Sequence, residues 1–331
     1  MKAIAFDTPG DPEVLTVREW PEPVIQQDTE LLVRLKAAGV NPLDTKLRRR
    51  GTFYPERMPA ILGCDGAGVV EAVGEEVQNF QVGDAVYFCH GGIGNHPGNY
   101  AELATVDERF AAHKPASLSF AEAAAAPLVL ITAWEALYER GQLHSAQQVL
   151  IHGGAGGVGH VAVQIAKLRG ARVCTTVSSP TKADFVQSLG AEVAILYQQA
   201  DFVQAALAWS NGNGVDLALD TVGGATLSQT FKAVRLYGDV VTILEPTAET
   251  DWKTARVRNL RLGNELMLTP MLENQVQAQQ HQANILYQCA RLIDAGQLRI
   301  HVSKQFALEE AAAAHRFLEA GSVMGKIVLR I

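Results

Sequence analysis

Apolar residues change their spacing along this chain, and the change divides it into two parts. In the first third, short segments alternate apolar and polar side chains, as half-buried strands do; the clearest lie at 31–35, 68–73 and 85–88. Ten of the thirteen prolines occur at or before position 127, which favours many short elements joined by turns. The first part is therefore predicted to be an irregular, mostly β domain.

From about Ala121, apolar strands alternate with helical segments, the pattern of a parallel sheet with crossover helices. The predicted strands lie at 148–152, 172–177, 193–196, 215–220, 239–244 and 262–267. A glutamine-rich stretch at 274–282 predicts an exposed helix start or loop. Helices are predicted at 285–294 and 308–320, followed by a last strand at 326–329.

A glycine-rich turn, VLIHGGAGGVG, occupies residues 149–159. In this spacing Gly154 would allow the tight turn, Gly156 would let the backbone approach a pyrophosphate, and Gly159 would let the helix lie close to the strand. Helical spacing follows the turn, and Gly170 ends the helix before the next apolar strand. The order of strand, glycine turn, helix and strand predicts a dinucleotide-binding unit whose amides face an anion.

Length and charge narrow the class of protein. A chain of 331 residues exceeds the roughly 250 to 300 residues at which single cores stop growing, so two domains are expected. The formal net charge of -7 disfavours a polyanion-binding surface, and no nucleic-acid partner is expected. Arg48, Arg49 and Arg50 form the only compact basic run, interpreted as a solvated surface turn before Gly51.

The four cysteines are scattered without paired spacing, so neither a disulfide framework nor a four-cysteine zinc site is expected. Such usage fits a reducing cytoplasm. The start of the chain lacks the apolar core of a signal peptide, and the most apolar stretch, at 121–137, is interrupted by Glu122, Pro127 and Glu135. A cytoplasmic protein with no membrane partner is predicted.

Several of these segments resemble the zinc-free quinone oxidoreductases, the branch of the medium-chain dehydrogenase/reductase superfamily that includes zeta-crystallin. The resemblance covers essentially the whole chain and rests on AAGVNPLDTKLRRRGT at 37–52, GCDGAGVVEAVGEEVQNFQVGDAV at 63–86, the glycine turn, and GSVMGKIVL at 321–329. It implies an α/β architecture. A GroES-like β domain would form from residues 1–120 and 269–331, with a doubly wound Rossmann domain at 121–268 between them and the active site in the cleft.

The resemblance also implies a homodimer formed through the edge of the Rossmann sheet, here assigned to residues 239–244.

Zinc-dependent alcohol dehydrogenases of the superfamily carry a cysteine at the position of Asn41, a histidine–glutamate pair at Cys64 and Asp65, and another cysteine near Leu128. A catalytic zinc needs about three protein donors and an open position, which these residue types do not supply. For this reason no catalytic metal is expected. The proton-relay hydroxyl of those enzymes is also missing, because Leu43 occupies its position.

A metal site could still be drawn from Cys89, His90 and His96 together with Cys64. Free cysteines are commonly buried small hydrophobes, and Cys89 with His90 ends an apolar strand. The buried interpretation is favoured, and no bound metal is predicted.

The cofactor is expected to be NADPH rather than NADH. NAD-preferring turns place an acidic residue at the end of the second strand, about 20 residues beyond the glycines, where this chain has Val177, Ser178 and Ser179. In NADPH reductases that the chain resembles, a serine, a lysine and a tyrosine hold the 2′-phosphate, at positions matching Ser178, Lys182 and Tyr197. Taken singly, these residues could equally be a helix cap, a surface lysine and a strand-end aromatic.

Four residues are candidates for catalysis, on the strength of the resemblance. Asn41 could donate its amide to an acceptor carbonyl or to the nicotinamide, and Tyr54 could donate a hydrogen bond or proton. Asp44 could orient a neighbour rather than react, and Thr132 matches a position that contacts nicotinamide. Each also has a structural interpretation, as a turn, a cap or a packed side chain.

The implied cofactor-binding set comprises Asn41, Thr132, Gly154, Ala155, Gly156, Gly157, Val158, Ser178, Lys182, Tyr197, Leu244 and Lys326. Without a metal, reduction of an electron-poor acceptor is the easier chemistry, because the protein mainly holds donor and acceptor at about 3 to 3.5 Å. The leading hypothesis is an NADPH-dependent reductase of quinones or α,β-unsaturated carbonyls. An enoyl-thioester reductase and a non-catalytic NADPH-binding protein with a structural or sensing role remain the alternatives.

Overall fold

The computed structural model describes residues 1–331 and contains two compact units. Unit 1 comprises residues 1–128 and 269–331, and unit 2 comprises residues 129–268. The chain therefore leaves the first unit and returns to it. The change of unit lies at 128/129, eight residues beyond the position 120 predicted from the sequence.

The strands, in chain order, are β1 Lys2–Phe6, β2 Thr16–Glu19, β3 Glu30–Val40, β4 Ala60–Ile61, β5 Asp65–Val73, β6 Ala85–Cys89, β7 Leu103–Asp107, β8 Ala111–His113, β9 Gln148–Ile151, β10 Arg172–Val177, β11 Val193–Leu196, β12 Val215–Asp220, β13 Val234–Thr242, β14 Arg261–Asn264, β15 Val302–Ala307 and β16 Lys326–Arg330. The α-helices are α1 Pro42–Arg50, α2 Phe120–Ala124, α3 Pro127–Trp134, α4 Gly157–Leu168, α5 Pro180–Ser188, α6 Phe202–Trp209, α7 Ala225–Ala233, α8 Trp252–Val257, α9 Thr269–Leu272, α10 Val276–Asp294 and α11 Ala311–Glu319. A π-helix, Glu135–Arg140, continues α3, and three 3-10 helices lie in unit 1.

Unit 1 is built on a seven-stranded sheet in the order β15-β16-β3-β5-β6-β8, with β7 also paired to β3. The alternating residues of β3 place Leu31, Val33 and Leu35 in a buried cluster. The last strand of the chain, β16, runs antiparallel to β3 with Ile327 opposite Val40. This register brings the start of β16, and with it Lys326, beside the end of β3.

Unit 2 contains six parallel strands in the order β11-β10-β9-β12-β13-β14. Renumbered within the unit, this is the 3-2-1-4-5-6 order of the doubly wound dinucleotide-binding fold. The predicted α/β fold class is confirmed. Four of the six predicted strands match the observed bounds to within one residue, because each is a continuous apolar run closed by a turn signal.

The predicted sheet edge was wrong. Residues 239–244 fall largely in β13, which lies inside the sheet between β12 and β14, with Val241 opposite Gly263 on the outer side. The outer strand is β14, a short strand of mostly exposed residues that carries little apolar signal. Low hydrophobicity is typical of edge strands. Because the pattern of apolar residues is weak here, sequence periodicity does not detect this strand as the edge.

The basic run was also misinterpreted at one position. Residues 48–50 are the last turn of α1, and Arg48 is fully buried, with its Nη2 atom 2.5 Å from Glu319 Oε1 on α11. Arg49 is exposed and reaches the same carboxylate at 3.0 Å. Burial follows from helical periodicity, since Arg48 lies one turn beyond the buried Asp44 on the same face of α1.

The glutamine-rich stretch forms the first turns of α10, the longest helix, so the helix-start interpretation is the correct one. None of the helices combines the length and the hydropathy needed to cross a membrane.

Candidate functional site

In unit 2 the glycine turn follows β9 and leads into α4, and its shape depends on missing side chains. A Cβ atom on Gly154 would lie 2.0 Å from Thr175 Oγ1, and one on Gly159 would lie 2.1 Å from the carbonyl oxygen of Gly153. Gly153 has φ of +62°, in the left-handed region that favours glycine. At Gly156 the nearest atom would be 3.2 Å away, so this glycine is less enclosed than Gly153, Gly154 and Gly159.

The start of α4 can receive an anion. Its N-cap is Gly156, which has no side chain to accept a hydrogen bond from the first turn. Gly157 and Val158 are half-buried there, whereas Ala155 is buried in the turn. Because the first amides of a helix lack internal acceptors and carry the positive end of its dipole, this turn fits a pyrophosphate.

His152 lies at the base of this turn and was not a predicted site residue. The Thr230 hydroxyl donates to the carbonyl oxygen of Thr226 at 2.7 Å, so it accepts from His152 Nε2, 2.8 Å away. His152 Nδ1 then accepts from the Thr176 hydroxyl at 3.2 Å, while the same oxygen accepts the amide of Gly153 at 3.1 Å. Burial lowers the pKa of His152 to about 4, so the ring is neutral and fixed beneath the glycines.

The ends of β10 and β11 carry the residues predicted to select the phosphorylated cofactor. Val177 is opposite Leu196 in the sheet, and the amide of Tyr197 donates to the carbonyl oxygen of Val177 at 3.2 Å, which makes Ser178 and Tyr197 neighbours. Ser179, rather than Ser178, caps α5 by accepting from the Lys182 amide at 3.4 Å. No carboxylate occurs from position 177 to 182, so this edge of the sheet fits a 2′-phosphate.

Two further predicted residues belong to unit 2. Leu244 is half-buried just beyond β13, and its amide donates to the Thr242 hydroxyl at 3.2 Å. That hydroxyl donates to Asp220 at 3.0 Å, at the end of β12 beside β9, so Leu244 lies on the same edge of the sheet as the glycine turn. Thr132 is buried in α3.

In unit 1 the structure brings Asn41 and Lys326 together, 285 positions apart in the sequence. Lys326 Nζ donates to Asn41 Oδ1 and lies 3.5 Å from Asp65 Oδ2. Asn41 Nδ2 donates to the same Asp65 oxygen at 2.9 Å, and the amide of Leu128 donates to its other oxygen at 2.8 Å. All three side chains are at most 3% exposed, so the cation, the amide and the carboxylate satisfy one another inside the unit.

Asp44 lies behind this cluster. Its Oδ2 atom accepts from the backbone amide of Asn41 at 2.8 Å and from the Tyr100 hydroxyl at 3.0 Å. Burial raises the pKa of Asp44 to about 7, and burial also raises the pKa of Asp65. The Tyr100 oxygen lies 3.2 Å from His315 Nε2, which burial keeps neutral by lowering its pKa to about 3.

Tyr100 and His315 were not among the predicted site residues, and Asp65 was considered only as a zinc-ligand position. Nothing in their local sequence signals the network, because its members come from separate strands and helices. Tyr54 stands apart from it: the hydroxyl donates to the carbonyl oxygen of Leu272 at 3.4 Å, and the Arg57 guanidinium lies 5.6 Å from the ring centroid.

The residues at the family's zinc positions do not fit a zinc ion. Asp65 is committed to Lys326 and Asn41, and Leu128 contributes only its backbone. Cys64 is fully buried; a hydrogen bond from the Cys89 thiol lowers its thiol pKa, but burial and the nearby Asp44 and Asp65 carboxyls make the net shift upward. His90 lies against the rings of His96 and Phe110, with centroids 5.3 and 5.6 Å apart. No group of three or more His, Cys, Asp or Glu side chains is placed to hold a metal ion.

Comparison with known proteins gives full-length matches. Residues 27–116 match the family model described as an alcohol dehydrogenase GroES-like domain, and residues 189–329 match the one described as a zinc-binding dehydrogenase. A quinone oxidoreductase of Pseudomonas aeruginosa is 33% identical, covering 99% of both chains.

Two solved structures show the same architecture. A crystal structure of an alcohol dehydrogenase superfamily protein from Novosphingobium aromaticivorans is 35% identical with a TM-score of 0.91, over 100% of this chain and 99% of its own. The Escherichia coli quinone oxidoreductase complexed with NADPH is 27% identical with a TM-score of 0.88, over 100% of both chains. Because the Pseudomonas aeruginosa quinone oxidoreductase is 33% identical over 99% of both chains, this chain belongs to the quinone oxidoreductase branch of the medium-chain dehydrogenase/reductase superfamily. It is therefore an oxidoreductase.

Proposed function

We propose that this protein is an NADPH-dependent, zinc-independent reductase that transfers hydride to a quinone or another electron-poor α,β-unsaturated carbonyl. The observation that carries the proposal is in unit 2, where the uncapped glycine start of α4 lies next to a strand end without a carboxylate. The first feature accepts a pyrophosphate and the second accepts a 2′-phosphate, which together describe NADPH. The NADPH complex of the Escherichia coli relative supports the same cofactor.

The residues that would hold NADPH are those of the turn and of the neighbouring strand ends. Gly154, Ala155, Gly156, Gly157 and Val158 would surround the pyrophosphate. Ser178, Lys182 and Tyr197 would bind the 2′-phosphate, with Lys182 as the cation. Leu244, Thr132, Asn41 and Lys326 would contact the nicotinamide half, as the family resemblance implies.

When bound, NADPH supplies the hydride, and the chain must stabilise the oxygen that gains charge on the acceptor. Lys326 is a buried cation fixed between Asn41 and Asp65, and it is the residue we assign to this charge. Asn41 uses one amide hydrogen on Asp65 and keeps a second donor on the same nitrogen. Tyr54 is a second candidate donor to the acceptor, provided that its hydroxyl leaves Leu272.

The donor set supports the proposed zinc independence. The carboxylate at the position of a zinc ligand is neutralised by a lysine, and the two other main ligand positions carry Asn41 and Leu128. An ammonium–amide pair can stabilise developing negative charge on a quinone oxygen without a metal.

One experiment tests the function. Purified protein is mixed with NADPH and a panel of ortho- and para-quinones, enones, enoyl thioesters and simple aldehydes, and NADPH absorbance is followed with and without a chelator. The proposal predicts turnover with quinones or enones that the chelator leaves unchanged. Turnover confined to enoyl thioesters would instead identify an enoyl-thioester reductase. Tight NADPH binding without any turnover would identify a non-catalytic protein.

A homodimer through the edge of the parallel sheet is part of the proposal, with β14 as the edge. Leu262 on this strand and Leu266 just after it are 43% and 52% exposed, and a second copy of the edge strand would cover this apolar surface. Light scattering of the purified chain should give twice the monomer mass. Leu262→Lys should give the monomer mass, and a wild-type monomer would exclude this interface.

A further inference from the structure

A buried line of hydrogen bonds runs from Asn41 into unit 1. When Asp44 is ionised, Tyr100 donates its only hydroxyl hydrogen to Asp44 Oδ2 at 3.0 Å. His315 Nε2, 3.2 Å from the same hydroxyl oxygen, must then be the donor in that contact. Both hydrogen bonds therefore point toward the Asp44 carboxylate, as does the Asn41 amide at 2.8 Å.

The two oxygens of Asp44 have different surroundings. Oδ2 holds the two donors from Asn41 and Tyr100, whereas Oδ1 is buried and has no hydrogen-bond partner. A proton can therefore bind Oδ1 without displacing either donor. Asp44 can gain or lose charge while its contact to Asn41 stays in place.

Few charges face Asp44. Asp65 on β5 and Lys326 on β16 lie on the Asn41 side, with the Cys64 thiol near them. Arg48, one turn along α1, is paired with Glu319 of α11. Asp44, Asp65 and Lys326 together carry a net charge of -1 when both carboxyls are ionised, and they are neutral when Asp44 is protonated.

We infer that Tyr100 and His315 are positioning residues that hold Asp44 in its ionised form, so that the charge beside the Asn41–Lys326 pair depends on pH. Burial alone would keep this carboxyl protonated, and the aligned donors oppose that effect. The catalytic consequence rests on the proposed function. There, the extra negative charge opposes the negative charge that Lys326 stabilises on the acceptor oxygen, so hydride transfer becomes slower as Asp44 ionises.

The titration itself can be measured on the intact chain without any substrate. Carboxyl signals of ¹³C-aspartate-labelled protein are followed by NMR from pH 5.5 to 9, and the Asp44 signal is identified by its absence in Asp44→Asn. We expect a midpoint near 7 in the wild type. Tyr100→Phe removes a donor to a charged group and should raise the midpoint by about one pH unit.

A second pair of variants repeats the test at His315. His315→Leu removes the donor to Tyr100 and should raise the midpoint by about half a unit, whereas His315→Gln keeps an amide donor and should restore the wild-type value. This pair decides the question if Tyr100→Phe does not fold. The matched control is Tyr87→Phe, a buried tyrosine whose hydroxyl donates to the carbonyl oxygen of Leu286 at 2.5 Å, and it should leave the Asp44 midpoint unchanged.

The pH profile of kcat/KM with NADPH and a quinone supplies the functional readout. Its midpoint should move upward in Tyr100→Phe by the same amount as the NMR midpoint. An Asp44 midpoint equal in wild type, Tyr100→Phe and His315→Leu overturns the inference, and so does an NMR shift that the kinetic profile does not follow. Absence of turnover with every acceptor would overturn the proposed function instead, while the NMR titration would still decide the role of Tyr100 and His315.

Discussion

The glycine turn of unit 2 and the Asn41–Lys326 cluster of unit 1 are built in opposite ways. The turn is one continuous run, 149–159, and its geometry requires that side chains be absent at Gly154 and Gly159. The cluster draws Asn41 from the start of α1, Asp65 from β5 and Lys326 from β16, and each buried polar group depends on the others. Adding an atom to the turn should therefore disrupt its shape, and removing one partner from the cluster should destabilise the buried groups that remain.

Removing the cation should have the largest effect on stability. Lys326→Met leaves the Asp65 carboxylate buried without its counter-charge, and breaking such a pair should lower the free energy of unfolding by about 4 kcal/mol at pH 8. The loss should shrink at pH 5, because burial already raises the pKa of Asp65 and a proton can replace the lysine. Urea unfolding at both pH values measures this loss in the free energy of unfolding.

The control for this variant is Lys46→Met, on the exposed face of α1, which should change stability by at most about 0.5 kcal/mol. Equal stabilities of Lys326→Met and Lys46→Met would mean that the cluster does not depend on mutual neutralisation.

Asp44 and His152 should give the two units opposite pH dependence. The folded pKa of Asp44 is raised to about 7, so its contribution to stability is full below its unfolded pKa near 4 and is lost as pH rises through about 7. The folded pKa of His152 is lowered to about 4, so its contribution is full above pH 6.5 and is lost as pH falls through about 4. The Asp44 effect amounts to about 4 kcal/mol over its range and the His152 effect to about 3 kcal/mol.

Urea unfolding between pH 4 and 8 tests this contrast. Asp44→Asn should gain stability over the wild type as pH rises, and His152→Gln should gain as pH falls. His144→Gln, at an exposed histidine, should run parallel to the wild type. Two parallel curves for Asp44→Asn and wild type would show that folding does not raise the pKa of Asp44.

Adding one carbon atom to the turn should strongly weaken NADPH binding. A Cβ on residue 159 would overlap the Gly153 carbonyl oxygen at 2.1 Å, so Gly159→Ala must open the turn. NADPH affinity, measured by fluorescence titration, should fall at least about 100-fold, or about 2.7 kcal/mol. In Gly263→Ala the new atom would meet its nearest neighbour at 3.4 Å, and this control should bind NADPH as the wild type does. Unchanged affinity in Gly159→Ala would place the cofactor elsewhere.

The smallest predicted effect concerns cofactor choice. Lys182→Ala removes the cation proposed for the 2′-phosphate and should lower kcat/KM for NADPH about 10-fold, or about 1.4 kcal/mol, while leaving the NADH value unchanged. Lys253→Ala, an exposed lysine on α8, serves as the matched control and should alter neither value. Equal losses for both cofactors in Lys182→Ala would remove the lysine from phosphate recognition.

The same contrast explains what the sequence could and could not predict. The turn, the positions of four of the six strands of unit 2 and the absence of an acid at Val177 are local features, and continuous runs record them. The strand β14 is short and polar, so its role as the outer strand becomes visible only from its pairing with β13. The sheet edge was assigned wrongly for that reason.

In unit 1, contacts between residues far apart in the sequence could not be predicted from local sequence patterns. Asn41, Asp44 and Lys326 were predicted individually from the family resemblance, whereas Tyr100 and His315 carry no local signal and are joined only by folding. The ion pair of Arg48 was missed for the same reason, since its partner Glu319 lies 271 positions away. A buried ion pair of this kind is seen only when the two helices are known to pack together.

The most direct test of the central claim is the rate of quinone reduction with the two reduced cofactors. Anaerobic mixing of the protein with 1,4-naphthoquinone and either NADPH or NADH gives kcat/KM for each cofactor, corrected for the reaction without protein. The account predicts turnover with NADPH, a kcat/KM at least about 10-fold lower with NADH, and one NADPH consumed per quinone. A rate equal to that without protein, or a preference for NADH, would contradict it.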